Sequence, residues 1–137
     1  MPKLTQTEAN YLKRIYVNCF EKNWRVTSVS LAEELGVKAP SVVDMLKKLE
    51  RKGLIIRIRW SEVRMTDEGI KVVRKLLYNH RILELYFSKV LGMDADESCK
   101  EASKIDALIG DEVIIRLCDL LGRPDRCPHG FPIYEVS

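Results

Sequence analysis

Apolar positions recur at helical spacing along most of the chain, and one alternating stretch interrupts them. Tyr11, Leu12, Ile15, Tyr16 and Cys19 form a stripe that predicts a first helix over Thr7–Glu21, capped by Thr5 or Thr7. Trp24-Arg25-Val26 reads as a short strand or link. Leu31, Ala32 and Leu35 share the inner face of a short helix over Val29–Leu35, with Ser28 as its N-cap. Gly36-Val37 ends that helix in a tight corner. Val42, Val43, Leu46 and Leu49 predict a further helix from Pro40 to Arg51. Pro40 suits its first turn, where the missing N–H would be unpaired anyway, and Gly53 closes it in the left-handed conformation. Alternation then takes over in Leu54–Trp60, with Arg57 and Arg59 on one face and Ile56 and Ile58 on the other. Ser61-Glu62 can turn, and Val63-Arg64-Met65 can return as a second strand. Beyond it, Thr66 caps a long helix from Asp67 to about Leu91, striped by Ile70, Val73, Leu76, Leu77, Ile82, Leu83, Tyr86, Phe87 and Val90 and stopped by Gly92. Two more helices are expected, Asp94–Ile109 and Asp111–Leu121, before an irregular tail rich in proline and glycine.

Two helices joined by a short turn, the second ending in basic residues and followed by a hairpin, make a winged helix-turn-helix. The expected fold class is mainly α: an N-terminal winged helix-turn-helix DNA-binding domain over residues 1–66, then an all-helical dimerisation domain over 67–137. The stripe after the wing is too broad for a reader of this size to cover alone, and paired readers match two-fold DNA sites. The other reading is that these helices only enlarge a monomeric core. Lys38, Ala39, Pro40, Ser41 and Asp44 lie in the first turns of the second helix of the pair, which face the major groove in this motif. Ser41 can bond a base edge, Ala39 or Pro40 can touch a thymine methyl, and Asp44 can accept from cytosine. Lys47, Lys48, Arg51, Arg57 and Arg59 are the phosphate candidates. The plainer reading of the hairpin arginines is a solvated edge that avoids aggregation.

Charge sharpens this picture only through its distribution. The net charge of the 137 residues is +3, too mild to argue for nucleic acid alone. From Lys38 to Arg64, however, Lys38, Lys47, Lys48, Arg51, Lys52, Arg57, Arg59 and Arg64 stand against Asp44, Glu50 and Glu62. From Asp94 to Asp119 acids outnumber bases. A basic half facing DNA and an acidic half with another task fit that asymmetry. Polar sequence follows Met1-Pro2-Lys3 and no apolar run approaches a membrane span, so a soluble, cytoplasmic protein with no membrane partner is expected. Cys19, Cys99, Cys118 and Cys127 lack CxxC pairing and suggest neither a zinc finger nor a disulfide framework. No phosphate loop and no Ser/His/Asp pattern supports an enzyme.

Ordered motifs span nearly the whole chain: Leu31-Ala32-Glu33, Pro40-Ser41-Val42, Leu49-Glu50-Arg51-Lys52-Gly53-Leu54, Met65-Thr66-Asp67-Glu68-Gly69, His80-Arg81-Ile82-Leu83-Glu84, Gly110-Asp111-Glu112-Val113 and Cys127-Pro128-His129-Gly130-Phe131-Pro132. In these the chain resembles the metal-dependent transcription repressors related to the diphtheria toxin repressor and the manganese transport regulator. The helix-turn-helix segment alone is weakly specific; the later motifs in order are specific. The resemblance implies a homodimer that binds a palindromic double-stranded operator when a divalent transition metal, iron, manganese or zinc, is bound. Some relatives carry an SH3-like C-terminal domain, which a chain ending at Ser137 is expected to lack.

The resemblance also supplies candidate ligands. His80 and Glu84 match metal-binding positions, at i and i+4 on one helix face. Cys99 falls where iron-responsive relatives often place a histidine, and Asp106 where a glutamate ligand is usual. Cys99, Ser103 and Asp106 would share one face of the expected Asp94–Ile109 helix. Departures are clear: Asn10 replaces a Met or Asp, Ser103 a Cys or Glu, and Ala107 a histidine. Asn10 and Ser103 offer only weak neutral oxygens. A thiolate at Cys99 favours softer ions such as zinc or ferrous iron over manganese. His80-Glu84 as a simple ion pair and Cys99 as a small buried hydrophobe remain the alternatives. Cys127 and His129 look ligand-like by spacing, but between prolines and glycine they are read as fixing a terminal turn. At the level of function the alternative is a metal-independent winged-helix regulator; a metalloenzyme would need an open coordination position and a base that these ligands do not specify.

Overall fold

The computed structural model describes residues 3–59, 62–126, 128–129 and 133. Two compact units divide the chain, Met1–Val73 and Arg74–Ser137.

In the first unit, α1 (Gln6–Tyr16) opens on a capping box: Thr5 Oγ1 accepts from the Glu8 N–H, and Glu8 Oε1 accepts from the Thr5 N–H. It runs into a wider π-helical turn, Val17–Glu21, so the expected Thr7–Glu21 helix is not a single regular element. The next helix, α2 (Ser28–Leu35), is capped by Thr27, not by Ser28. Thr27 is extended and its Oγ1 accepts from the Ser30 N–H at 3.0 Å, while Ser28 is the first helical residue and is buried. Gly36 ends α2 at φ 66°, as the corner requires. Helix α3 (Ala39–Arg51) carries Pro40 in its first turn and buries Val42, Leu46 and Leu49 completely. Its far end is held to the N-terminal segment by Lys52, whose Nζ donates to Lys3 O and Glu8 Oε1, both at 2.9 Å.

A two-stranded hairpin follows, β1 (Ile55–Ile58) against β2 (Glu62–Met65), antiparallel with Ile55 opposite Met65 and Ile58 opposite Glu62. The alternation is as expected, with the Ile55 and Arg57 side the inner one. Ile55 is buried and Arg57 half-buried, whereas Ile56 and Ile58 are exposed. Leu54 and Ile55 both enter the core, and the period of two then turns Ile56 and Ile58 outward. Thr66 starts α4 (Asp67–Lys89): its Oγ1 accepts from the Gly69 N–H and donates to Gly53 O. A Cβ on Gly69 would lie 1.9 Å from Leu54 O, so only glycine lets α4 pass this close to the start of the hairpin.

In the second unit, the rest of α4, α5 (Ala95–Ala102) and α6 (Asp111–Leu120) enclose a core of Ile82, Leu83, Ala102 and Ile114. The expected Asp94–Ile109 helix therefore stops early, at Ala102. Beyond it three-residue turns, Lys104 N–H to Glu101 O and Ile105 N–H to Ala102 O, alternate with four-residue bonds such as Asp106 N–H to Ala102 O. The apolar stripe of α6 is split: Ile114 is buried with Leu117 and Leu121 packed beside it, while Val113 and Leu120 are exposed. Val90, Leu91, Leu108 and Ile115 add to that exposed apolar surface. Among the described residues no helix is long and apolar enough to cross a membrane.

Candidate functional site

Helix α4 sets the first two ligands. His80 and Glu84 stand one turn apart, and both are buried, so the turn presents an imidazole and a carboxylate inside the second unit. His80 Nε2 lies 3.0 Å from Glu84 Oε1 and 3.4 Å from Cys99 Sγ, which α5 brings in. One ligand atom from each of His80, Glu84 and Cys99 falls within 4.8 Å of the other two. Nitrogen, oxygen and sulfur converging in a largely dry setting fit a divalent transition ion.

Asp106 lies on the opposite edge of the ring. Its Oδ2 accepts from His80 Nδ1 at 2.8 Å, and its carboxyl is fully buried. A carboxylate there fixes the ring and leaves Nε2 turned to Glu84 and Cys99. Asp106 thus meets His80 at Nδ1 and stands outside the three-residue cluster at Nε2. Its carbonyl also accepts from Asn79 Nδ2 at 3.2 Å. Ser103 is the C-cap of α5, with its N–H on Cys99 O. Asn10 lies on α1 in the first unit, where its Oδ1 accepts from Gln6 Nε2 at 3.0 Å.

His129 lies in a turn, as expected, and also reaches the edge of this cluster. Its Nδ1 lies 3.1 Å from Glu84 Oε2 and its Nε2 3.0 Å from Asp96 Oδ1. The hydrogen bond to Asp96 and, after it, that to Glu84 push its pKa up, against the partial burial. The Cys-Pro-His-Gly motif was the available signal, but sequence spacing does not say which helix the tail meets. Cys127 falls outside the described residues.

The other candidate surface is on the first unit. Lys38, Ala39, Pro40, Ser41, Asp44, Lys47, Lys48 and Arg51 of α3 and its start are all exposed, as is Arg59 on the hairpin. Their backs are anchored by Val42, Leu46 and Leu49, so one helix presents an apolar face to the core and a polar, basic face outward. Arg57 differs: its Nε and Nη2 donate to Glu50 Oε1 at 3.1 and 2.9 Å, and its N–H donates to Glu50 Oε2. These bonds hold the Glu50 carboxyl below the usual glutamate range. The Arg57 guanidinium is therefore committed to bracing the hairpin on α3, rather than free for phosphate as expected.

Comparison with known proteins agrees with both surfaces. The iron dependent repressor N-terminal DNA binding domain matches residues 3–58, and the iron dependent repressor metal binding and dimerisation domain matches residues 66–135. An HTH-type transcriptional regulator of Methanocaldococcus jannaschii is 31% identical over 114 residues, covering 83% of this chain and 91% of the relative. The diphtheria toxin repressor of Corynebacterium diphtheriae is 29% identical over 133 residues, 97% of this chain and 58% of its own. The structure of the manganese regulator SloR is similar at a TM-score of 0.86 and 30% identity, covering 97% of this chain and 61% of that one. The chain spans less than two thirds of those last two relatives. It belongs to the iron-dependent repressor family, with the diphtheria toxin repressor and the manganese regulators among its relatives.

Proposed function

We propose that the chain is a transcription repressor that binds a palindromic double-stranded operator as a homodimer, under the control of a divalent transition metal. The observation that carries this is the convergence of His80 Nε2, Glu84 Oε1 and Cys99 Sγ within 4.8 Å, with Asp106 behind the imidazole. These three residues would hold the ion. A carboxylate and a thiolate neutralise its two charges, and Asp106 orients His80. Sulfur in the set favours zinc or ferrous iron over manganese, although the relative SloR is described as a manganese regulator. Residues 1–66 read DNA through Lys38, Ala39, Pro40, Ser41 and Asp44 at base edges and Lys47, Lys48, Arg51 and Arg59 at phosphates. Residues 67–137 pair two copies, consistent with exposed Val90, Leu91, Val113, Ile115 and Leu120. The family is one of repressors, and we place this member in the cytoplasm as a regulator, not an enzyme.

One observation favours a regulator that has dispensed with metal. His80 already has a carboxylate on each ring nitrogen, a set that an imidazolium satisfies without an ion. Equilibrium dialysis of the tag-free protein against zinc or ferrous iron separates the two. Metal control requires about one ion per chain, lost in His80→Ala and in Cys99→Ala. No uptake by the unaltered protein would leave only the metal-independent regulator.

A further inference from the structure

The chain has two histidines, and both meet the same buried carboxylate. Glu84 sets Oε1 against His80 Nε2 at 3.0 Å and Oε2 against His129 Nδ1 at 3.1 Å. The outward nitrogen of each ring is also matched. His80 Nδ1 is held by Asp106 Oδ2 at 2.8 Å, and His129 Nε2 by Asp96 Oδ1 at 3.0 Å. Each imidazole thus has one nitrogen on a carboxylate outside the cluster and the other on Glu84. A carboxylate on the far nitrogen is the arrangement that orients a metal-bound histidine and raises its basicity. His80, Glu84 and Cys99 supply three donors, one short of a closed tetrahedral set. Asp106 cannot be the fourth, because it occupies the wrong edge of His80.

We propose that His129 is the fourth ligand, so that the ion fastens the segment after α6 to α4 and α5. The inference rests on the cluster being a metal site. Nδ1 faces the shared carboxylate at Oε2, 3.1 Å away, so Glu84 would bring an ion it holds to the His129 side of the cluster. Asp96, at the start of α5, would then serve His129 as Asp106 serves His80. The ion would close the second unit as well as bind to it, since its ligands come from α4, α5 and the tail.

Two histidines make the test direct. Full-length protein carrying ring-labelled histidine is loaded with Co2+, and the ring signals moved outside the normal range by the paramagnetic ion are assigned to residues. We expect both histidines to be shifted, with His129→Ala leaving only His80 and weakening Co2+ binding by more than the roughly 10- to 100-fold that loss of an outer-shell partner costs. His129→Gln, which keeps a side-chain donor to Glu84, should not restore affinity. A shifted His80 beside an unshifted His129 would overturn this inference while leaving the three-ligand site intact. Rescue by His129→Gln would overturn it too, reducing His129 to a hydrogen-bonding support. No shifted histidine at all, with no thiolate-to-cobalt absorption, would instead remove the metal site on which the inference stands.

Discussion

Arg57 and Arg59 are two residues apart on one hairpin and carry the same charge, yet they face different partners. Arg59 is exposed, and Arg57 is bonded to Glu50 through three hydrogen bonds. Arg59→Ala is expected to weaken binding to every duplex and to reduce the salt slope by about one ion, read by fluorescence anisotropy over a salt series. Arg57→Ala should leave that slope nearly unchanged and cost at most about 1 kcal/mol of stability, since the pair is partly exposed. Equal slope changes in the two variants would contradict the assignment. The sequence named both arginines but could not separate them, because a period of two fixes the faces of a strand without saying which is inward. Ile56 and Ile58 are exposed for the same reason: Leu54 with Ile55 had already taken the core. Glu8 gives a pH dependence at this scale. Burial works against its charge, but the Thr5 N–H and Lys52 more than offset that and hold its pKa down. A depressed carboxylate adds stability that is present above the ordinary glutamate range and lost as pH falls through the lowered value. Urea midpoints measured on the acid side should therefore fall less steeply in Glu8→Gln than in the unaltered protein.

Gly69 shows how an element is placed by what a residue lacks. Replacing glycine inside a helix by alanine ordinarily gains about 1 kcal/mol. Here the added Cβ would lie 1.9 Å from Leu54 O, which is backbone and cannot swing aside. Gly69→Ala is expected to destabilise the protein by about 1–3 kcal/mol, seen as a lower urea midpoint. A gain in stability would show that α4 is not pinned to the hairpin at this point. Most elements were legible in the chain because caps and breakers mark them: Thr66, Asp94, Gly36, Gly53 and Gly92 all sit at element boundaries. Two boundaries were not. Ser28 and Thr27 are both competent caps, and only the extended backbone of Thr27 decides between them. The end of α5 carries no breaker at all. Ile105, Leu108 and Ile109 continue a helical apolar spacing, while three-residue bonds are mixed among the four-residue ones. Asp106, expected on the same helix as Cys99, therefore lies beyond the end of α5 and meets His80 at Nδ1.

At the scale of the molecule, the division into a reader and a second helical unit was visible in the change from a basic to an acidic half and in a stripe too wide for the reader to bury. The structure gives that surplus a location: Val90, Leu91, Leu108, Val113, Ile115 and Leu120 are exposed on the second unit. Light scattering is expected to report a dimer at micromolar concentration, and Leu120→Glu or Ile115→Glu to shift it toward monomer without loss of helix content. The candidate cluster was only half legible. His80 and Glu84 declare themselves by a spacing of one turn, whereas Cys99, Asp106 and His129 meet them across sequence separations of 19, 26 and 45 residues. Periodicity carries no information over such distances; the family motifs pointed to Cys99 and Asp106 and left His129 as a turn. Control of DNA binding by the ion is the claim that joins the two units, and one measurement addresses it most directly. Duplexes are first selected from random-sequence DNA by the metal-loaded protein, and their affinity is then followed as the ion is withdrawn by a chelator and restored. The account predicts release on chelation, recovery on adding back zinc or ferrous iron, and weak binding by His80→Ala and Cys99→Ala whether or not metal is present. Affinity unchanged by the chelator and by both substitutions would contradict it, and would leave a DNA-binding dimer that no longer answers to a metal.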